Sequence, residues 1–265
     1  MATITIDPGR CNECGACAAI CPGGVVVAGD SGRPAIDAGR EPFCIDCGHC
    51  EAVCPSGALR RGDGPLEAAG GIPPGLLGKY LKSRRSVRQY MDEPVPRETI
   101  AAILDVARFA PSGGNRQPVE WLVLHDAAEV HRLAGLAVDW MRHEAASGAP
   151  LLPPAVFGPL LAAWEHGRDP ICRGAPHLLI AHVPDQATLV DGIIALTWAD
   201  AVAPAHGVGT CWAGFLMIAA ARWEPLHNAL ALPAGRIPAH ALMCGYPRFR
   251  PARIPARRPL AVAWR

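Results

Sequence analysis

Eight of the eleven cysteines lie between Cys11 and Cys54, in the run Cys11-x2-Cys14-x2-Cys17-x3-Cys21-Pro22 and its copy, Cys44-x2-Cys47-x2-Cys50-x3-Cys54-Pro55, 33 residues later. In a reducing compartment such a density of thiols argues for metal ligation before disulfides. Three thiolates on one tight loop can cap three irons of an iron–sulfur cube, and in a doubled run the fourth ligand comes from the other copy. That rule assigns Cys11, Cys14, Cys17 and Cys54 to one [4Fe–4S] cluster, and Cys44, Cys47, Cys50 and Cys21 to a second. Zinc is the alternative, but structural zinc prefers two separated cysteine pairs, and a Pro after each fourth Cys is not its habit. Gly15-Ala16 and Gly48 leave backbone N–H groups free to point at sulfur.

Three later segments carry further chemistry. Ser83-Arg84-Arg85-Ser86-Val87-Arg88-Gln89-Tyr90 sets three guanidinium groups beside a hydroxyl, a phosphate-matching set or else a solvated helix end. Pro111-Ser112-Gly113-Gly114-Asn115-Arg116-Gln117-Pro118 is a turn whose glycines permit close backbone approach to a planar ligand, with Asn115 and Gln117 offering amides; an ordinary loop reads the same way. In Gly207-Val208-Gly209-Thr210-Cys211-Trp212-Ala213-Gly214-Phe215, small residues again let the main chain approach something flat. From Pro225 to Arg265 there are seven Arg and no Asp or Glu. Among these Arg248, Arg250, Arg253, Arg257 and Arg258 could clamp a phosphate, meet an acidic patch or stay hydrated. Cys172, Cys211 and Cys244 stand outside any ligand spacing and read as small buried side chains. No dinucleotide fingerprint, phosphate-cradling Walker loop or nucleophile elbow is present, so separate nicotinamide, nucleotide-hydrolysing and serine-hydrolase domains are excluded.

These groups must be positioned by 265 residues, 50% of them apolar, which is enough for a substantial core. Net charge is +1 and no basic helix or aromatic platform accompanies the arginines, which argues against nucleic acid. The N-terminus lacks the pattern of a secretory signal, and the apolar stretch Gly192 to Ala221 is interrupted by Asp200, Pro204 and His206, so the chain reads as cytoplasmic with no membrane span. Around the cysteines, Ala2–Ile6, Val25–Val27, Ala35–Asp37 and Ala58–Arg60 read as short strands in two pseudo-symmetric halves. The expected division is residues 1–64, a Gly/Pro-rich linker 65–78, and a second domain 79–265. Helices are expected over Leu76–Ser83, Arg97–Ala110 and Thr188–His206, with buried strands at Trp121–Leu124 and His177–His182, an α+β pattern.

The cysteine region resembles the bacterial two-cluster ferredoxins, with both motifs complete. Arg-Arg-Ser-x-Arg, Pro-Ser-Gly-Gly-Asn-x-Gln-Pro, Gly-x-Gly-Thr-Cys-Trp and Gly245-Tyr246-Pro247, in that order, resemble the nitroreductase family of FMN enzymes over most of Lys79 to Arg265. The resemblance implies an α+β FMN-binding fold behind a ferredoxin-like one. It implies that Arg84, Arg85, Ser86 and Arg88 hold the ribityl phosphate and one edge of the flavin, with Arg253 a further phosphate ligand. It also implies that Pro111, Ser112, Gly113, Asn115 and Gln117 reach the flavin of a second subunit in a homodimer, and that Cys211, Trp212, Ala213 and Gly214 lie beside N5. Many relatives carry an acidic residue where this chain has Ala213, and no catalytic acid or base is assigned. The implied function is a flavin oxidoreductase with FMN and two [4Fe–4S] clusters. It would reduce a nitro compound, quinone or activated alkene, with NAD(P)H or reduced ferredoxin as donor. The alternatives are an electron-relay subunit passing electrons to a partner protein and a flavin-processing enzyme.

Overall fold

Strand alternation, helix amphipathicity and proline placement account for most of the architecture in the computed structural model, which describes residues 3–29, 32–62, 64, 67–147, 151 and 153–265. The chain divides into two compact units. One comprises the described residues of Met1–Gly71 with Gly113–Arg116, and the other Ile72–Ser112 with Gln117–Arg265. Ala2 of the expected first strand, Asp63 near the end of the expected first domain, and Pro65 and Leu66 at the start of the expected linker lie outside the described residues.

The first unit runs β1 (Ile4–Ile6), α1 (Ala16–Ile20), β2 (Val26–Ala28), β3 (Pro34–Ile36), α2 (His49–Ala52) and β4 (Leu59–Arg61). β1 pairs antiparallel with β4 and β2 with β3, Ile6 opposite Leu59 and Val26 opposite Ile36. The buried centre is Cys17, Val26, Cys50 and Leu59, with Ile4, Ile6, Ala18, Cys21, Ile36 and Cys54 packed on it. The repeat extends to the backbone: Glu13 and Asp46 have φ of 57° and 56°, and Gly15 and Gly48 have 70° and 72°. The left-handed glycine ends each cysteine loop and starts its helical turn, a conformation a Cβ would strain.

The second unit begins with α3 (Pro74–Ser83), whose first five residues lie inside the expected linker. Pro74 occupies the first helical position, where its missing N–H costs nothing. There follow α4 (Arg97–Ala107), β5 (Glu120–Leu124), α5 (Ala127–Ala146), α6 (Pro154–Glu165), β6 (His177–Val183), α7 (Leu189–Val202), β7 (Gly209–Trp212), α8 (Gly214–Ala220), α9 (Glu224–Ala229) and β8 (Ile237–Gly245). The sheet order is β5-β6-β8-β7, with every neighbouring pair antiparallel. Period-two alternation sorts the sheet residues between two helical layers. Leu178, Ile180, Ala241 and Met243 face the cluster containing Val130, Leu133, Trp140 and Leu216. Leu179, Ala181, Leu242 and Cys244 face Ile100, Ile103, Leu196 and Ala199. β6 is buried along its whole length because helices cover both of its faces.

The expected long helix over Thr188–His206 is three pieces. A 3₁₀ turn at Gln186–Thr188 leads into α7, and a second at Ala203–His206 ends at Gly207 with φ 73°. Pro204 supplies no N–H, so the α-helical ladder cannot continue through it. Gln186–His206 is long and apolar enough to cross a membrane by composition. Here α7 lies against β6, β8 and α4 with Gly192, Ala195, Leu196 and Ala199 buried, the behaviour of a core helix. A Cβ on Gly192 would come within 2.4 Å of Ala239 Cβ, so glycine is what lets α7 reach β8.

At the head of β6, Val95 N–H donates to His177 Nε2 at 2.8 Å, while Nδ1 donates to the His125 carbonyl at 2.9 Å. His125 Nε2 returns a bond to the Val95 carbonyl at 2.8 Å, and the two rings stack with centroids 4.3 Å apart. Burial first, and neighbouring His125 second, hold His177 below its ordinary value, against the pull of the His125 carbonyl. A proton on Nε2 would oppose the Val95 N–H. The unfolded chain therefore binds the proton more readily, and this contribution is present above pH ~6.5 and lost as pH falls below it. All seven Trp lie in this unit, so their fluorescence follows its unfolding. The thermal midpoint should drop between about pH 7.5 and about pH 5.5, and His177→Gln should make that dependence shallower. His177→Leu should cost about 1–3 kcal/mol at neutral pH by orphaning the Val95 N–H. An unaltered pH slope in His177→Gln would remove this histidine from the account.

Candidate functional site

Two cavities in the first unit are lined by cysteine. Cys11, Cys14, Cys17 and Cys54 surround one; Cys21, Cys44, Cys47 and Cys50 surround the other. The crossing follows from the topology. α1 and α2 pack together, and each carries the third cysteine of its run while handing the fourth to the opposite loop. Burial raises the Cys17 and Cys50 thiols, only partly offset by backbone N–H groups. Burial also works upward on Cys21, but the N–H groups of Val26, Val25, Gly23 and Gly24 outweigh it and hold this thiol below its ordinary value. At Cys54 burial is likewise outweighed, by Leu59 N–H, the Ser56 hydroxyl and Ala58 N–H. At the fourth cysteine of each run the chain's own donors thus favour the charged form relative to an ordinary thiol. Among the described residues no three or more His, Cys, Asp or Glu side chains are arranged to hold a single ion. Thiolates standing around a cavity suit a polynuclear cluster with iron and sulfide between them better than one zinc.

Arg61 also lines the Cys44 cavity. Its Nε is fully buried with no hydrogen-bond partner among the described residues, an orphaned donor that a sulfur acceptor in the cavity would satisfy.

In the second unit the segment after α3 runs beside β7 and the end of β8. Val87 N–H donates to the Thr210 carbonyl at 2.9 Å, Met91 N–H to Tyr246 at 2.9 Å and Arg248 N–H to Gln89 at 3.0 Å. Tyr90 is buried, donates to the Val87 carbonyl at 2.8 Å, and has its phenol pushed far up, by burial first and by Cys211, Cys244 and Cys172 next. A Cβ on Gly209 would lie 2.5 Å from Val87, and one on Gly245 2.7 Å from Pro176 and 2.8 Å from Tyr90. The space left by these glycines is therefore filled by the protein itself.

A cavity of about 150 Å³ opens along this segment, lined by Ser83, Arg84, Arg85, Gly207, Gly209 and Arg250 among others. Asp200 on α7, 5% exposed, accepts a short hydrogen bond from the Thr210 hydroxyl and an ion pair from Arg84 Nη1 at 3.3 Å. Arg85 Nη1 is tied to the Lys82 and Arg84 carbonyls at 2.9 and 2.6 Å. Arg85 and Arg250 form no ion pair among the described residues, so the wall carries uncompensated positive charge. A second cavity, about 280 Å³, is lined by Arg88, Arg173, Cys211, Trp212, Gly214 and Phe215 among others. Arg173 sits at φ 61°, in a loop fixed by the Asp169 carboxylate, which accepts from the N–H groups of Ile171, Cys172 and Gly174 at 2.8, 2.9 and 3.1 Å.

Arg84 and Arg85 thus meet in the first cavity, and Arg88, Cys211, Trp212 and Gly214 in the second. Ala213 is packed inside the core with its N–H on the Ala241 carbonyl at 3.0 Å. Ser86, Pro111, Ser112, Gly113, Asn115 and Gln117 line neither cavity. The Ser112 hydroxyl accepts from Gln117 N–H at 2.9 Å, and the Asn115 amide, within the first unit, donates to the Ile45 and Asp46 carbonyls at 3.1 and 2.9 Å. Arg253 stands on the exposed tail, whereas Arg250 reaches the cavity. Asp200 and Arg173 were not anticipated from sequence. Arg84 and Asp200 are 116 positions apart, and the Asp169 to Gly174 turn was the one local hint at Arg173.

A model of the nitroreductase family matches residues 81–246, and one of the 4Fe-4S dicluster domain matches residues 10–59. The chain is 32% identical over 186 residues to an FMN reductase [NAD(P)H] of Bacillus subtilis (strain 168), covering 67% of this chain and 68% of that protein. The second unit's fold is similar to that of a nitroreductase with bound FMN from Desulfitobacterium hafniense DCB-2, with TM-score 0.57 and 20% identity over 71% of this chain and 98% of that one. A nitroreductase with bound FMN from Bacteroides fragilis NCTC 9343 gives TM-score 0.53 at 20% identity, again over 71% and 98%.

The crossed cysteine sets make a distinguishing prediction for iron content. Cys54→Ser and Cys11→Ser should each remove the same cluster, so the double variant should lose no more iron than either alone, whereas Cys54→Ser with Cys47→Ser should lose both clusters. Additive loss in the Cys11 and Cys54 pair would rule out a shared cluster.

Proposed function

Since the chain belongs to the nitroreductase family and is an FMN-dependent oxidoreductase with an N-terminal 4Fe-4S domain, we propose that it passes electrons through two [4Fe–4S] clusters to FMN and on to a small electrophile. That electrophile is a nitro compound, a quinone or an activated alkene. The observation that carries this reading is the presence on one chain of two crossed cysteine cavities and an arginine-walled cavity beside the Arg84–Arg88 segment. When bound, the clusters carry single electrons, and FMN accepts them singly and releases them in pairs.

The residues divide the work as follows. Arg84, Arg85 and Arg250 hold the ribityl phosphate, with Ser86 as a neighbouring hydroxyl and Arg253 as a further arginine on the tail. Asp200 and Thr210 fix the Arg84 guanidinium, so less side-chain freedom is lost when the phosphate arrives. Arg88 takes one edge of the flavin, while Trp212 and Gly214 wall the ring. Arg88 and Arg173 leave positive charge on the second cavity, which suits the electron-rich oxygens of a nitro group or quinone. This cavity supports substrate reduction over a relay to a partner protein, which calls for a closed face. NAD(P)H and reduced ferredoxin are the proposed donors, and the reduced thiols suit the cytoplasm. Trp264 and Leu260, 91% and 88% exposed, support a homodimer that covers these apolar tail residues, and in it the loop Pro111, Ser112, Gly113, Asn115 and Gln117 reaches the flavin of the second subunit.

Anaerobic mixing with NADH, NADPH or reduced ferredoxin, followed by addition of a nitroarene and a quinone, tests the reading. Bleaching of the iron–sulfur bands by one donor and stoichiometric reduced product is the expected result, and bleaching without product in either case would favour the relay. Arg250→Ala should weaken FMN binding by about 1.5–3 kcal/mol through loss of a charge-assisted bond, measured by quenching of flavin fluorescence. Arg253→Ala should cost less, and the reverse ranking would move the phosphate contact to Arg253.

A further inference from the structure

The two halves of the ferredoxin-like unit share backbone but not charge. Each cysteine loop carries an acidic residue in the left-handed region, Glu13 in the first and Asp46 in the second, and each acid pairs with an arginine. In the first half the partner is Arg33 at 2.8 Å, and both side chains are about half exposed. Among the described residues, Arg33 is absent from the lining of the Cys11 cavity, which includes no ionisable side chain besides cysteine.

In the second half the partner is Arg61, the last residue of β4, with its side chain only 15% exposed. The 33-residue repeat places Ala28 at the corresponding position of the first half, so Arg61 breaks the symmetry. Its guanidinium presses on the cysteine loop itself: a Cβ on Gly48 would lie 2.9 Å from Nη1. Nη2 is held by Asp46, the main-chain N–H donates to Glu51 Oε1 at 3.0 Å, and Nε is the buried donor without an acceptor. Apart from cysteine, the other ionisable residue on this wall among the described residues, His49, is exposed.

We infer that Arg61 is a tuning residue for the cluster held by Cys44, Cys47, Cys50 and Cys21: its Nε–H donates to a cluster sulfur, and this raises that cluster's reduction potential above that of the Cys11 set. The inference rests on the two-cluster reading above. Uptake of one electron adds one negative charge to a cluster, and a hydrogen bond to sulfur and a nearby cation both stabilise the added charge. Asp46 opposes the cation through its buried Oδ1, but it engages Nη2 and leaves the Nε donor untouched, so the shift is carried by the hydrogen bond to sulfur. The first electron to enter the unit therefore settles on the cluster beside Arg61.

The test is a potentiometric titration of the full, flavin-loaded chain, with the reduced clusters followed by electron paramagnetic resonance. Iron and sulfide are assayed on the same samples, and signals are assigned by the one missing in Cys47→Ala. Two resolved midpoints are expected, the higher belonging to the Cys44 set. Arg61→Leu should shift that midpoint downward and leave the other in place, while Arg33→Leu should move neither. An unchanged midpoint in Arg61→Leu, or a shift confined to the Cys11 cluster, overturns the inference while leaving the two-cluster reading intact. Iron and sulfide for one cluster only in the unaltered chain would overturn both. If Arg61→Leu loses its cluster, Arg61→Lys keeps the charge, removes the Nε donor and is read by the same two outcomes.

Discussion

The first unit has too little hydrocarbon to fold around, and that constraint organises much else. Its buried centre is two cysteines and two aliphatic residues, with the other two inner cysteines packed against them. Units this small ordinarily need a metal or disulfides to hold a fold. Here the thiolates that would take iron are also the packing core, so cluster assembly and folding become one event. The left-handed backbone at Glu13, Gly15, Asp46 and Gly48 then has a clear use. It turns each loop around its cavity so that three sulfurs from seven residues of chain face inward.

The second unit works by the opposite means. Its sheet is covered on both faces, with alternate residues of β6 and β8 sent to opposite helical layers. Such a slab is rigid, and its functional groups sit on segments fastened to its edge by main-chain bonds, as Val87 is to Thr210. The arginines are placed by carboxylates. Asp200 fixes the side chain of Arg84, and Asp169 fixes the backbone that presents Arg173. In the first unit Asp46 does the same for Arg61. A guanidinium held this way has its planar fork oriented before any ligand arrives, which is where arginine differs from the more mobile lysine.

Local patterns were legible in the sequence, and long-range pairings were not. The cysteine runs could be read because three ligands of each set lie within seven residues and the fourth follows a known crossing rule. Strands β5 and β6 stood out as short apolar runs, and α4 by its buried Ile100 and Ile103. The segment Gly207 to Phe215 suggested glycines making way for a flat ligand; its strand character and the use of Gly209 by Val87 depend on a neighbour more than 120 residues earlier. Composition marked the C-terminal stretch as basic but could not rank its arginines, because residues 251–265 have no helix or strand to give them direction. The helix break at Pro204 was written in the sequence and overridden by the apolar run around it.

The most direct test of the central claim, two iron–sulfur cubes and one flavin on a single chain, is an anaerobic reductive titration of the purified protein with a calibrated one-electron reductant. Both visible chromophores are followed to the endpoint. Two electrons for the flavin and one for each cube predict an endpoint of about four electrons per chain, with flavin and iron–sulfur bleaching complete together. An endpoint near two or three, in protein whose flavin and iron contents are saturated, would contradict it.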